Sequence, residues 1–149
     1  MRSSILLVAV LAGFPASAEP DIASPEGLEG FVTVDLLPVP DVPALADGRA
    51  IWGSTCENCH GGNKLTGAPK ITSTDDWQPR IAQGIDRLVT HATEGFIGPK
   101  YTQMPARGGN DDLSDDDIKA AVAFMVWASG GAELAETYAE TNINRNETK

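Results

Sequence analysis

A small, mostly α-helical domain is what this sequence predicts, and three observations predict it. Ser114 followed by Asp117 has the spacing of a helix capping box, and Ile118, Ala121, Val122 and Met125 then repeat at i, i+3, i+4 and i+7 as far as a Gly130-Gly131 stop. The stretch "IDRLVTHATEG" reads as a further helix that ends at Gly95, a residue suited to a helix C-terminus. No internal repeat and no convincing run of strands appears in the 149 residues, a length that holds one modest core rather than two.

Taken in order, the chain opens with "MRSSILLVAVLAGFPASAEP". Arg2, the apolar run Ile5 to Phe14 and the small residues Ala16-Ser17-Ala18 match a secretory signal cut after Ala18. The apolar run is well short of the roughly 20 residues that span a bilayer, so no stable membrane insertion is expected after cleavage. Residues 1–18 are therefore read as a signal peptide, and the mature chain as exported, periplasmic if the source is Gram-negative.

Residues 19–45 are rich in proline and carry no sustained helical period, which predicts an extended arm with a short strand at Phe31 to Val34. Phe31, Val34, Leu36 and Leu37 point to a segment that lies on a surface, its own domain's or a partner's; the competing reading is an unpacked linker. Asp47 is placed as the N-cap of a short helix through "GRAIWGSTC", and Thr74 or Asp75 as the cap of the next, with Trp77 and Pro79 in its first turns. "FIGPKYTQMPARGGNDDL" has no period and is expected to be irregular loop. The main domain is assigned to residues 46–131, and residues 132–149 to a polar tail that frays.

The formal net charge is −10, and every basic residue but Arg2 lies after Ala18 together with all the acidic ones. That sign argues against nucleic acid and anionic membrane surfaces as partners. The run "NDDLSDDD" does not have the glycine pattern of an EF-hand, and helix capping accounts for Ser114 to Asp117. Electrostatic steering of a basic partner is the use left for it.

"CENCHGG" holds both cysteines of the chain, Cys56 and Cys59, with His60 directly after the second. Covalent haem attachment needs this spacing: two thiols on one helical turn add to the two vinyl groups of a haem, and the adjacent imidazole lies beneath the iron. A thioredoxin-type CxxC expects a βαβ setting that is missing here, and a zinc site would have to recruit distant His91 as a fourth ligand. A plain Cys56–Cys59 disulfide closes so short a loop that it adds little stability. The export signal and the motif agree on haem c, which is assembled after export.

One haem with one histidine leaves a sixth iron position, which Met104, Met125, His91 or nothing at all could fill. Met125 lies on the apolar face of the last helix, where a thioether more often fills the core. His91 lies inside a helix, whereas Met104 lies in irregular loop stiffened by Pro105, from which a thioether can approach the iron opposite His60. Such Met/His ligation raises a haem's reduction potential.

The stretches "GRAIWGSTCENCHGG", "GAPK", "DWQPRIAQG", "THATEGFIG" and "QMPARGGNDDLSDDDIKAAVAFMV" resemble the class I c-type cytochromes, most closely the cytochrome c-five subgroup. The resemblance runs from about Ala46 to Ser129 in the family's order. It implies an all-α class I cytochrome c fold wrapped round one covalently bound haem, with the N- and C-terminal helices crossing. It implies thioethers at Cys56 and Cys59, His60 as proximal iron ligand and Met104 as distal ligand. Pro69 matches the position whose carbonyl accepts the proximal imidazole N–H, and Arg80 a position that can meet a haem propionate.

With both axial positions filled, the chemistry implied is the passage of single electrons between Fe(III) and Fe(II), so the expected role is a periplasmic electron carrier rather than an enzyme. Redox proteins are the expected partners, a periplasmic dehydrogenase or a terminal oxidase among them, through small transient contacts. Two alternatives stand beside it: a haem c subunit fixed to a periplasmic oxidoreductase with the arm as its strap, and a ligand-binding haem protein in which Met104 leaves the iron open.

Overall fold

The structure, a computed structural model, describes residues 28, 30–99 and 102–143. Residues 1–18, read above as a signal peptide, most of residues 19–29 and the last six residues lie outside the described residues.

The arm does not form a strand at Phe31 to Val34. Residues Val34–Leu36 make a single 3-10 turn instead, and the segment folds back on its own domain, with Val32 fully buried and Leu37 nearly so. A strand needs a neighbour for its peptide groups, and here other partners take them. The Val32 N–H donates to the Gly61 carbonyl at 2.7 Å, and the Val34 N–H to the Glu57 carboxylate at 2.7 Å. The Arg49 guanidinium donates to the carbonyls of Val34 and Leu37, at 2.6 and 3.2 Å.

Helix α1 spans Pro43–Ile51 and so begins four residues before Asp47, which lies inside it. Pro43 occupies the first helical position, where its missing N–H has no intrahelical partner to lose and its fixed φ already suits a helix. The chain then runs without a break through a π-helical stretch, Trp52–Cys56, into α2, Glu57–His60. Helix α3 covers Thr74–Ile81, so the boundary position falls to Ser73, whose hydroxyl donates to Asp76 at 2.8 Å. Neither Thr74 nor Asp75 is the cap.

Helix α4 is Ile85–Glu94 and ends at Gly95, whose φ of +89° favours glycine. The loop after it contains a minimal antiparallel pair, β1 Phe96–Ile97 with β2 Gln103–Met104, in the register Phe96 to Met104 and Ile97 to Gln103. Two residues per strand are too few to leave an alternation in the sequence. A 3-10 turn, Ala106–Gly109, leads on to the last part of the domain.

Helix α5, Asp115–Trp127, carries the expected capping box: the Ser114 hydroxyl accepts the Asp117 N–H at 3.1 Å and the Asp117 carboxylate accepts the Ser114 N–H at 2.9 Å. Its apolar stripe understates its burial, because every residue from Ala120 to Ser129 is buried. The reason is that α1, α4 and α6 all pack on it, and a helix covered on several sides is apolar all round. Helix α6, Ala132–Asn142, replaces the first part of the expected fraying tail. Ala135, Tyr138 and Ala139 form its buried stripe, and the Trp127 indole N–H donates to Glu136 at 3.1 Å.

The crossing of α1 over α5 depends on Gly48. A Cβ at that position would lie 2.1 Å from the Ala120 carbonyl oxygen. Gly48→Ala must push the two helices apart, a cost of about 1–3 kcal/mol or more from overpacking; a lowered denaturant midpoint with an unchanged slope is the expected result.

Burial, with Asp86 beside it, pushes the Tyr138 phenol up to about 12. An unfolded tyrosine ionises near pH 10, so across the interval up to about 12 the unfolded chain holds fewer protons and stability falls as pH rises. The thermal midpoint of Tyr138→Phe, followed across the same interval, is expected to lose that part of the alkaline decline.

Candidate functional site

The site begins with the change of helical pitch at Trp52–Cys56. A π-helical turn inserts one residue and re-aims the side chains beyond it, a feature found often where helices carry function. Here it delivers Cys56, Cys59 and His60 at the end of the α1 to α2 rod, with Cys56 and Cys59 half-buried and not joined to each other. Burial is the main cause that pushes the Cys56 thiol up to about 11, and the neighbouring Cys59 adds to it.

His60 is buried, and its Nδ1 lies 2.9 Å from the Pro69 carbonyl oxygen. A carbonyl only accepts, so the proton belongs on Nδ1 and the Nε2 lone pair is left for a ligand. Burial holds the His60 pKa below its ordinary value, the bond to Pro69 works against that, and the Arg80 charge works with it. The result is a neutral, oriented imidazole, the form that binds a metal.

Cys56, His60 and Met104 line one cavity, although Met104 comes from a distant segment of the chain. Met104 reaches it from β2, whose pairing with Phe96 holds it in place. Ala92, Ile118, Ala121 and Val122 form the apolar wall, and Met125, read from sequence as core filling, also faces the cavity while being buried. An imidazole beside two free thiols three residues apart fits the attachment of a covalent haem c, and two thioethers, Met104 and Met125, share its cavity.

His91 is not brought to this site. Its ring stacks on Phe96 at a centroid distance of 4.3 Å, and no group of three metal-ligating side chains occurs among the described residues, which leaves the zinc reading without its ligands. Arg80 does not line the cavity either. It lines an open cleft of about 460 Å³ on the Pro69 side, with Lys64, Lys70 and Asp76, and its guanidinium donates to the Asp76 carbonyl of its own helix.

Two contributors were missed in the sequence. The Trp77 indole N–H donates to the Lys70 carbonyl at 2.9 Å, which ties down the segment that carries Pro69, and its ring lies 6.4 Å from that of His60. A buried tryptophan usually finds a partner for its N–H, but nothing in the sequence says which. Glu57, inside the motif, takes the Val34 amide. Its position in "CENCH" shows only a polar spacer.

This fold and donor set define a small helical protein that holds a covalent haem, and comparison with known proteins agrees. The family model described as "Cytochrome C oxidase, cbb3-type, subunit III" matches residues 43–125, more than half of the chain. Over 84 residues the chain is 43% identical to cytochrome c-555 of Chlorobaculum tepidum, which covers 56% of this chain and 76% of that protein. It is 35% identical over 80 residues to cytochrome c5 of Azotobacter vinelandii, covering 52% of this chain and 89% of that protein. A solved chain from a structure titled "Crystal structure of electron transfer complex of nitrite reductase with cytochrome c" is 34% identical, covers 58% of this chain and 95% of itself, and superposes with a TM-score of 0.49.

The chain belongs to this family of c-type cytochromes, with the class I fold and one covalent haem c, and Cys56 and Cys59 have the spacing that suits its attachment. Its relatives are small mono-haem cytochromes, which implies electron transfer.

Proposed function

We propose that the protein is an exported, freely diffusing carrier of single electrons, with His60 and Met104 as the two axial ligands of its haem iron. The haem, when bound, supplies a one-electron change between Fe(III) and Fe(II). The residues of the chain that would hold it are Cys56 and Cys59 by thioether bonds, His60 through its Nε2, and Met104 through its sulfur. Pro69 keeps the proton of His60 on Nδ1, and the apolar wall around Ala121 and Val122 excludes water. With both axial positions filled by protein, substrates are kept from the iron and electron transfer is the role that remains.

The observation that carries this reading is that Met104 shares one cavity with His60 and Cys56. The partners proposed are redox proteins, a dehydrogenase on one side and a terminal acceptor on the other. The charge of −10 favours a basic docking face on them. Among the described residues no helix is long and apolar enough to cross a membrane.

A second reading, a haem subunit fixed to an oxidoreductase, is favoured by the oxidase subunit in the family description. Against it stands the arm, which buries Leu28, Val32 and Leu37 on its own domain, although Phe31, Leu36 and Val39 stay exposed. A native, haem-loaded chain that elutes alone from its cells' periplasmic extract supports the carrier; stable co-elution with an oxidoreductase supports the subunit.

Carbon monoxide tests the ligands. The spectrum of the reduced protein should not respond to it, while Met104→Ala should open the site, bind CO and lower the reduction potential. A CO response in the unaltered protein would instead favour a ligand-binding haem protein.

A further inference from the structure

Leu28 and residues 30–37 lie outside the stretch matched to the family, yet they are bonded at several points to the segment that carries the haem ligands. At one end the Glu57 carboxylate accepts the Val34 N–H and the Gly61 carbonyl accepts the Val32 N–H, both at 2.7 Å. At the other end the Lys70 ammonium donates to the Leu28 carbonyl. Leu28 and Val32 are buried, so the arm is held by packing as well as by these bonds.

Both ends of the arm bond to residues next to His60 or next to its partners. Gly61, next in sequence to His60, donates its N–H to the Glu57 carbonyl at 2.7 Å, so Glu57 binds the turn with its backbone and the arm with its side chain. Lys70 stands between Pro69, whose carbonyl faces His60 Nδ1 at 2.9 Å, and Ile71, whose N–H donates to the His60 carbonyl at 2.8 Å. Its own carbonyl is taken by the Trp77 indole at 2.9 Å. The arm therefore closes a ring of bonds around His60, and a charged side chain makes the link at each end. Hydrogen bonds to ionised groups are the stronger kind.

We propose that Leu28 and residues 30–37 clamp the haem-bearing turn, and that Glu57 and Lys70 are positioning residues which, through this clamp, keep the His60 Nδ1–H on the Pro69 carbonyl. That bond fixes the ring and makes the imidazole a better electron donor to the iron. The proposal rests on the reading of His60 as an iron ligand.

Hydrogen exchange followed by NMR on the full, haem-loaded, reduced chain tests it. In Glu57→Ala the Val32 and Val34 amides and the His60 Nδ1–H should all exchange about tenfold faster or more, the scale of a lost charge-assisted bond. Glu57→Gln keeps an oxygen that accepts the Val34 N–H and should restore most of the protection. Lys70→Met, which leaves the motif untouched, should speed His60 Nδ1–H exchange as well.

Faster arm amides with an unchanged His60 Nδ1–H in both variants would overturn the proposal, as would no change in either. If Glu57→Ala does not load haem, Lys70→Met decides on the same two readouts. The same spectra check the reading it rests on: His60 ring protons shifted strongly upfield by the haem show that His60 binds the iron, so an error there is seen apart from a failed clamp.

Discussion

The close approach of α1 to α5 at Gly48 is the constraint on which the other parts depend. With no side chain at Gly48, the backbone of α1 can rest against the Ala120 carbonyl. Trp52, one turn further on, is then fully buried against Phe124 at a ring distance of 6.2 Å. Aromatic pairs of this kind supply much of the core energy of a small domain. The same crossing leaves the end of the rod, Cys56 to His60, over the face of α5 that presents Ile118, Ala121 and Val122. Fold and site are thus one arrangement: the contact that fixes the helices also aims Cys56 and His60.

Around that crossing the chain surrounds His60 with bonds to backbone rather than to other side chains. The Pro69 carbonyl receives its ring, the Ile71 N–H takes its carbonyl, and Trp77 secures the segment between them. Backbone partners are displaced only by moving the chain, so the ring is held by the rigidity of a folded loop. Met104 is held similarly, through β2 and its pairing with Phe96. Holding His60 and Met104 this way suits the low reorganisation that the proposed electron carrier needs.

Much of this was legible in the sequence, for physical reasons that differ by element. The capping box of α5 and the glycine stop of α4 were readable because local bonds and backbone freedom act over a few residues. The cysteine and histidine spacing was readable because the chemistry of attachment dictates it. The start of α1 was not, since Pro43 reads as the end of an extended arm until the helix it opens is seen. Helix α6 was hidden because its buried stripe is mostly alanine, with Ala135 and Ala139 beside Tyr138, in a stretch otherwise polar. The role of Glu57 was hidden for another reason: its partner, Val34, lies 23 residues away. Long-range bonds to backbone leave no trace in composition or period.

Near-infrared absorption of the oxidised protein tests the central claim of a closed site with Met104 opposite His60. A thioether sulfur bound to Fe(III) gives a weak sulfur-to-iron charge-transfer band there. Met125 faces the same cavity as Met104, so the measurement is made on the native chain and on Met125→Leu side by side. The account predicts the band in both; its absence from the native chain, or its loss in Met125→Leu alone, would contradict it.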